Sequence, residues 1–144
     1  MILVDANVLI YAVNADLPQH GPARRWLEKA LSGTETIGLP WVVILAFLRL
    51  TTSPRVFERP LAVQAALGYV EEWLAQPPAT TVEPGPEHWP TFRRLVTDSG
   101  TGGNLTTDAH LAALALERGA ALCTTDRDFA RFPGLRLIHP AEAR

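Results

Sequence analysis

Two kinds of hydrophobic run alternate along the chain, and their alternation predicts its secondary structure. Short, nearly continuous apolar runs are typical of buried strands, whereas longer runs with apolar residues at helical spacing indicate helices. The predicted strands are ILVD (Ile2 to Asp5), TETIGL, TTVEPG, AALCTT and LRLIH, the last at a sheet edge. The predicted helices are NVLIYAVN, PARRWLEKALSG, PWVVILAFLRLTT, LAVQAALGYVEEWLAQ, a run from Pro86 to about Asp98, DAHLAALALERG and the short DRDFARF.

Start and stop signals support these boundaries. Pro22 lies near the start of the second helix and Gly33 at its end, as is usual for helix termini. We expect Thr107 to cap the helix DAHLAALALERG, which Gly119 ends, and SGTGGN to be the loop before it. Strands that alternate with helices predict an α/β fold with a parallel or mostly parallel sheet covered on both faces.

Length and composition narrow the class of protein. The chain has 144 residues, of which 47% are hydrophobic and 19% charged, so we expect one folded domain spanning residues 1–144. The apolar runs near the start are shorter than the ~20 residues of a membrane span, and no basic stretch precedes them. We therefore expect a cytoplasmic protein. The net charge of −2 argues against a protein that coats nucleic acid.

Four aspartates are predicted to meet at one edge of the sheet. Asp5 ends the first strand, Asp126 and Asp128 follow the strand AALCTT, and Asp108 opens the helix that leads into that strand. The carboxyl ends of parallel strands share one edge, where ligands bind. An aspartate at a helix start is also stabilised by the helix dipole, so Asp108 alone would prove little. Converging carboxylates repel one another without a cation, and their oxygens suit Mg2+ or Mn2+.

Several segments are similar to one known family. VDANVLIY, LPWVVILAFLRLTTSPRVF, DAHLAALALERGAALCTTDRDF and FPGLRLIHP resemble the PIN-domain nucleases and, among these, the VapC-like toxins of bacterial toxin–antitoxin pairs. The resemblance covers almost the whole chain. It implies a three-layer α/β/α PIN-like fold and a metal-dependent endoribonuclease that acts as a toxin. It also implies a homodimer and inhibition by a cognate antitoxin protein.

The resemblance also assigns roles to residues. The catalytic and metal-binding acids would be Asp5, Asp108 and Asp126, with Asp128 as a further metal ligand. Asn7 and Thr124 would support these acids by hydrogen bonding. Family members commonly carry a glutamate in the helix PWVVILAFLRLTT, but this helix has no acid, and the matching position is Ala46. Asp128 or water would then complete the coordination of Mg2+ or Mn2+, or the metal would bind weakly.

Other polar and aromatic residues receive less specific interpretations. Arg49 could contact RNA phosphate, an active-site carboxylate or a surface partner. His110 lies about 200° around the helix from Asp108, so we expect it to face away and, like His20, His88 and His139, to have a structural or solvent role. For the tryptophans, packing in the core or at a subunit contact is favoured over stacking on bases. The helices with Trp41 and Trp73 are candidates for the subunit or antitoxin interface.

The predicted reaction is hydrolysis of RNA phosphodiester bonds by a metal-activated water. No cysteine, serine or histidine is placed as a nucleophile, and Cys123 reads as a small buried hydrophobe, so a covalent intermediate is disfavoured. A phosphatase of the haloacid dehalogenase type also uses D-x-D, but after its first strand, where this chain has D-A-N. The remaining alternative is a PIN-fold partner-binding module whose catalysis is impaired.

Overall fold

A five-stranded sheet forms the centre of the computed structural model, which describes residues 1–100 and 102–142. All strand pairs are parallel, and the order across the sheet is β3-β2-β1-β4-β5. The strands are β1 (Ile2–Val4), β2 (Ile37–Pro40), β3 (Ala79–Val82), β4 (Ala121–Cys123) and β5 (Leu137–Ile138). The predicted parallel sheet and the predicted edge position of the last strand are both confirmed.

The described residues form six α-helices, which cover the sheet in two groups. They are α1 (Ala6–Val13), α2 (His20–Leu31), α3 (Trp41–Thr51), α4 (Val63–Leu74), α5 (His88–Ser99) and α6 (Thr106–Glu117). Helix α1 contacts both α2 and α3, and α3 contacts α4, whereas α5 packs mainly on α6. Because parallel crossovers are right-handed, the two groups lie on opposite faces, which confirms the three-layer α/β/α arrangement. Among the described residues, no helix is both long and apolar enough to span a membrane.

The topology of the sheet creates a binding position beside β1. The chain leaves β1 for β2 on one side and later returns to β4 on the other, so the connections diverge between β1 and β4. Open parallel sheets bind ligands at such a switch point, beyond the carboxyl ends of the strands. Residues that directly follow β1 and β4 therefore lie where a site is expected.

The ends of α6 differ from prediction at one terminus. The helix begins at Thr106 with Leu105 as its N-cap and no side-chain cap, so the prediction that Thr107 caps it is wrong. A 3₁₀ helix at Gly103–Leu105 leads directly into α6, which places Thr107 inside the first turn. Gly119, with a φ of 61°, ends the helix as predicted. Of the predicted loop SGTGGN, Thr101 lies outside the described residues.

The core accounts for some of the tryptophans but not all of them. Trp73 is buried and its ring meets Phe47 edge-on with centroids 5.0 Å apart. Trp89, by contrast, is 66% exposed, and Trp41 is 48% exposed. Of the two kinds of packing predicted for the tryptophans, packing in the core is therefore wrong for Trp89, whereas packing at a subunit contact stays a prediction. Trp89 lies on the outer side of α5, and the residue of this helix that faces the interior is Leu95.

Gly38, in the middle of β2, provides a test of packing between neighbouring strands. A Cβ atom at this position would overlap Leu3 Cδ2 and would lie 2.7 Å from Val82 Cγ2. Gly38→Ala is therefore expected to destabilise the protein by about 1–2 kcal/mol, because both neighbours are buried and must shift. Urea unfolding measures the change, with Gly68→Ala on α4 as the control, since a Cβ there meets nothing within 4 Å. Equal effects at the two positions would contradict the close packing around β2.

Candidate active site

Asp5 is held at the junction of β1 and α1. Its backbone N–H donates to the Cys123 carbonyl at 2.9 Å, so the pairing of β1 with β4 continues to the residue itself. Its Oδ1 accepts the Ala6 N–H at 2.7 Å and caps α1. The aspartate therefore has a structural role as an N-cap, which fixes its orientation at the switch point.

The second oxygen of Asp5 is held by the two predicted supporting residues. Asp5 Oδ2 accepts the Thr124 hydroxyl at 2.8 Å and the Asn7 side-chain N–H at 3.1 Å. Asn7 Oδ1 in turn accepts the Thr125 N–H at 3.2 Å. Side chains that follow β1 and β4 are thus bound to each other directly.

The same threonine, Thr124, also holds the loop after β4 that carries Asp126 and Asp128. Thr124 Oγ1 accepts the Asp126 N–H at 3.0 Å, and Asp126 Oδ1 accepts the Asp128 N–H at 2.9 Å. Asp126 is half-buried, whereas Asp128 is exposed and lies in a short 3₁₀ helix, Arg127–Arg131. Asp126 therefore has one oxygen used by the backbone, and Asp128 lies at the outer margin of the group.

The electrostatics show that the four predicted acids act on one another. Burial raises the pKa of Asp5, and the charge of Asp126 adds to the effect. Burial together with the charges of Asp126, Asp5 and Asp128 raises the pKa of Asp108 from its ordinary value of 3.8 to about 6. The nearby negative charges raise the pKa of Asp108 and Asp5, and they favour either protonation or a cation at this edge.

The donor set fits a hard divalent cation in type and in charge. All four side chains offer carboxylate oxygens, the ligands that Mg2+ and Mn2+ prefer. Within residues 1–100 and 102–142, however, no three histidine, cysteine, aspartate or glutamate side chains are already drawn together enough to hold an ion. The acids form an electrostatic cluster rather than a preformed coordination shell. Ala46 is half-buried on α3 and contributes no donor.

This charge cluster predicts an unusual stability effect in metal-free protein. Because the pKa of Asp108 is higher in the folded chain than its ordinary value, the folded state binds more protons between pH 4 and pH 6 and loses stability as the pH rises through that range. Asp108→Asn is expected to stabilise the metal-free protein by about 1 kcal/mol at pH 7, after allowance for solvent screening, and by nothing below about pH 4. Thermal unfolding in EDTA at both pH values measures this. A destabilised variant at pH 7 would contradict it.

An arginine that the sequence did not single out acts on this site. The charge of Arg131 lowers the pKa of Asp108, in opposition to the neighbouring acids. Arg131 is exposed at the end of the 3₁₀ helix, and its Nε donates to the Asp128 carbonyl at 3.1 Å. The sequence signal that could have identified Arg131 is a basic residue three positions after Asp128, because a helical turn brings such positions to one side.

Arg49, the arginine that the sequence did suggest, lies exposed in the last turn of α3.

Two histidines form a hydrogen-bonded chain that sequence spacing did not reveal. His88 Nδ1 lies 2.9 Å from Glu117 Oε1, and His88 Nε2 lies 2.9 Å from His110 Nδ1. Burial and the neighbouring His88 lower the pKa of His110. The structural role predicted for His110 agrees with this arrangement, and His88 has an acidic neighbour 29 residues away. Only the packing of α5 on α6 brings the two together.

Cys123 is fully buried in β4, as predicted. Burial raises the pKa of its thiol, and the charge of Asp5 acts in the same direction. The thiol therefore stays protonated and is a poor nucleophile.

Comparison with known proteins agrees with this architecture. The model of the PIN domain family matches residues 2–135. The chain belongs to the PIN domain family. Its curated relatives include Ribonuclease VapC37 of Mycobacterium tuberculosis, 49% identical over 140 residues that cover 97% of both chains. VapC ribonuclease Mb2897 of Mycobacterium bovis is 44% identical over 144 residues, which cover 100% of this chain and 98% of the relative.

Solved structures of other proteins share the fold at low sequence identity. VapBC2 of Rickettsia felis, crystallised with a DNA fragment from its promoter, aligns with a TM-score of 0.70 and 18% identity over 96% of this chain and 98% of that one. VapC20 of Mycobacterium tuberculosis, described as a toxin that cleaves the sarcin-ricin loop, aligns with a TM-score of 0.65 and 20% identity over 94% and 99%. The resemblance to VapC-like PIN proteins is confirmed.

Proposed function

We propose that this PIN-domain protein is a metal-dependent endoribonuclease and the toxin of a toxin–antitoxin pair. The observation that carries the proposal is the shared charge cluster of Asp5, Asp108 and Asp126 at the switch point, where burial and mutual repulsion raise the pKa of Asp108 to about 6. Full-length relatives named as VapC ribonucleases support the same function. Its test is cleavage of single-stranded RNA with Mg2+ or Mn2+ and loss of that cleavage in EDTA, or with Asp5→Asn.

The metal ligands we propose are Asp5, Asp108 and Asp126, with Asp128 as an outer contributor. A bound Mg2+ or Mn2+ would supply positive charge that polarises the scissile phosphate and acidifies a water molecule. Thr124 and Asn7 hold the Asp5 carboxylate in one orientation, so that little reorganisation accompanies binding.

The reaction assigned to this site is hydrolysis. Water forms the new P–O bond, the bridging P–O bond breaks, and the leaving oxygen takes a proton. The side chain of Cys123 is buried and protonated, which favours direct attack by water over a covalent intermediate. Arg131 carries the positive charge that acts on Asp108, and we assign it contact with the substrate phosphate.

The proposed protein partners would use a different surface, the exposed apolar face of α3 and α4. Leu45 is 61% exposed and Val63 59% exposed, and Trp41 and Leu67 extend the same two helices. Apolar patches of this kind mark protein contacts. We assign this face to the homodimer or to the cognate antitoxin, in a protein that acts in the cytoplasm on RNA.

A catalytically impaired partner-binding module is the second candidate, and the absence of a carboxylate at Ala46 favours it. The two functions separate in the same assay. A binding module would leave RNA intact with either metal and would show no difference between wild type and Asp5→Asn.

A further inference from the structure

The outer side of α5 carries an exposed tryptophan and two exposed arginines. Trp89, Arg93 and Thr97 follow one another at intervals of four residues, and Arg94 flanks them, so their side chains lie along one exposed side of the helix. We call these four residues the α5 stripe. Together with Pro90 and Asp98 they line a shallow groove.

We infer that the α5 stripe is a binding surface for single-stranded RNA, with Trp89 stacking on a base and the two arginines contacting phosphates. The inference rests on the proposed ribonuclease function and adds to it a substrate surface outside the cluster of aspartates.

The tryptophan is fixed in a way that suits stacking. Its ring packs against Phe92 with centroids 5.9 Å apart, and Phe92 is itself stacked on His88 at 6.0 Å. Phe92 therefore contacts one side of the indole ring, while 66% of Trp89 stays exposed to solvent. An aromatic ring that is held at one edge and open to solvent can stack on a base with little loss of conformational entropy.

The arginines complement a phosphate backbone. Among the described residues, no carboxylate lies within 4.0 Å of the guanidinium groups of Arg93 and Arg94, although Asp98 shares their groove. Arg24 and Arg59 on the surface pair with Glu28 and Asp16, whereas Arg49 and Arg55, like the two stripe arginines, have no carboxylate this close among the described residues. The α5 stripe differs from these positions because its two arginines share a groove with an exposed aromatic ring. Free guanidinium groups beside an aromatic ring are typical of surfaces that bind single strands.

The helix packing leads the α5 stripe toward the aspartates. Six residues separate the end of α5 from the start of α6, and the two helices pack on each other. The end of α5 therefore lies near the start of α6, which carries Asp108 in its first turn. From Trp89 to Thr97 the stripe extends about 12 Å along the helix axis. A strand bound there would run toward the catalytic edge.

A protein partner fits this surface less well than RNA does. The face of α3 and α4 exposes several large aliphatic side chains, whereas on α5 the exposed large hydrophobic residue within the described chain is Trp89 alone. Arginine and a single ring, without aliphatic neighbours, favour a polyanion with planar bases.

The test is RNA binding in an Asp108→Asn background, which stops cleavage while Mg2+ is present. Fluorescence anisotropy with a labelled single-stranded RNA of mixed sequence is expected to show at least about fivefold weaker binding after Trp89→Ala. Binding is also measured between about 50 and 200 mM salt, and the logarithm of the binding constant is plotted against the logarithm of the salt concentration. The double change Arg93→Gln and Arg94→Gln is expected to make the slope of this plot shallower by about 1.4, since each single-strand phosphate contact contributes about 0.7.

Matched variants keep the result specific. Arg55→Gln removes an exposed arginine elsewhere and should leave binding unchanged, and Asp98→Asn removes a negative charge beside the stripe and should tighten it. In otherwise wild-type protein, Trp89→Ala should raise KM and leave kcat unchanged. Unchanged RNA binding by both stripe variants would overturn the inference, and so would a Trp89→Ala effect confined to self-association in sedimentation velocity.

The outcome also separates this inference from the proposed function. If wild type cleaves RNA with Mn2+ while the stripe variants bind RNA normally, only the assignment of the α5 stripe fails. If wild type neither cleaves nor binds RNA, both fail.

Discussion

Replacing Asp108 with asparagine is expected to lower metal-dependent RNA cleavage at least about 100-fold, while the protein remains folded. Asparagine keeps the size of the side chain but removes a negative charge from the cluster. Asp108 is not hydrogen-bonded to another described side chain, and burial with three nearby acids raises its pKa to about 6. The change therefore removes a proposed ligand without removing a hydrogen bond to any side chain that the structure describes.

The measurement combines two assays on the same protein. Cleavage of a single-stranded RNA is followed with Mn2+ and with EDTA, and thermal unfolding is followed with and without the metal. Mn2+ should stabilise wild type by about 2.7 kcal/mol at 100 times its Kd, and the variant far less. Asp16→Asn is the control, because Asp16 is an exposed acid paired with Arg59 and lies beyond the end of α1, whereas Asp5 caps the start of that helix. Full activity of Asp108→Asn would remove Asp108 from the proposed site.

Asp5 is less suitable as the primary variant, because its carboxylate has more than one role. It caps α1 through the Ala6 N–H and accepts the Thr124 hydroxyl. Asp5→Asn would lose charge and would also place an N–H where two donors already point. A loss of activity there mixes catalysis with folding, whereas Asp108→Asn separates them.

Much of the fold could be predicted from sequence because each strand is short, apolar and followed by a clear helix. Leu3 and Val4 in β1, and Leu122 and Cys123 in β4, are fully buried, which is what nearly continuous apolar runs indicate. The placement of Asp5 and Asp126 at one edge followed from the rule for parallel strands alone. Their direct connection through Thr124 agrees with that rule.

Two features were harder to predict: the contacts between residues that are distant in sequence, and the face of each helix that is buried. Trp89 lies at helical spacing with Phe92 and Val96, yet it faces outward, because a helix packed on one neighbour buries a narrower face than its apolar spacing suggests. The prediction that Thr107 caps α6 was wrong because a 3₁₀ helix runs directly into α6, so the helix begins before Thr107, at residues that carry no capping signal. The pairing of His88 with Glu117 depends on how α5 crosses α6, which no local pattern encodes.

That pairing predicts the largest loss of stability. Glu117→Leu is expected to lower the free energy of unfolding by about 2–4 kcal/mol, because it leaves a buried histidine N–H without an acceptor. The side chains of Glu117 and His88 are only 7% and 13% exposed, and Glu117 Oε2 also accepts the Gly85 N–H at 3.3 Å. The change would therefore loosen both the start of α5 and the segment that leads into it.

Urea unfolding of three variants distinguishes this chain of hydrogen bonds from simple packing. Glu117→Gln keeps one acceptor and should lose about 1 kcal/mol, and Glu28→Leu, in the exposed pair with Arg24, should change stability by about 0.5 kcal/mol or less. His88 Nδ1 donates to the Glu117 carboxylate and His88 Nε2 is hydrogen-bonded to His110 Nδ1, so the chain fixes both rings and ties α5 to the helix that carries Asp108. If Glu117→Leu were no more harmful than Glu28→Leu, the chain would contribute nothing to that attachment. If Glu117→Leu lowers stability as expected, the molecules that remain folded should still cleave RNA. The change weakens the attachment of α6 but removes none of the four aspartates.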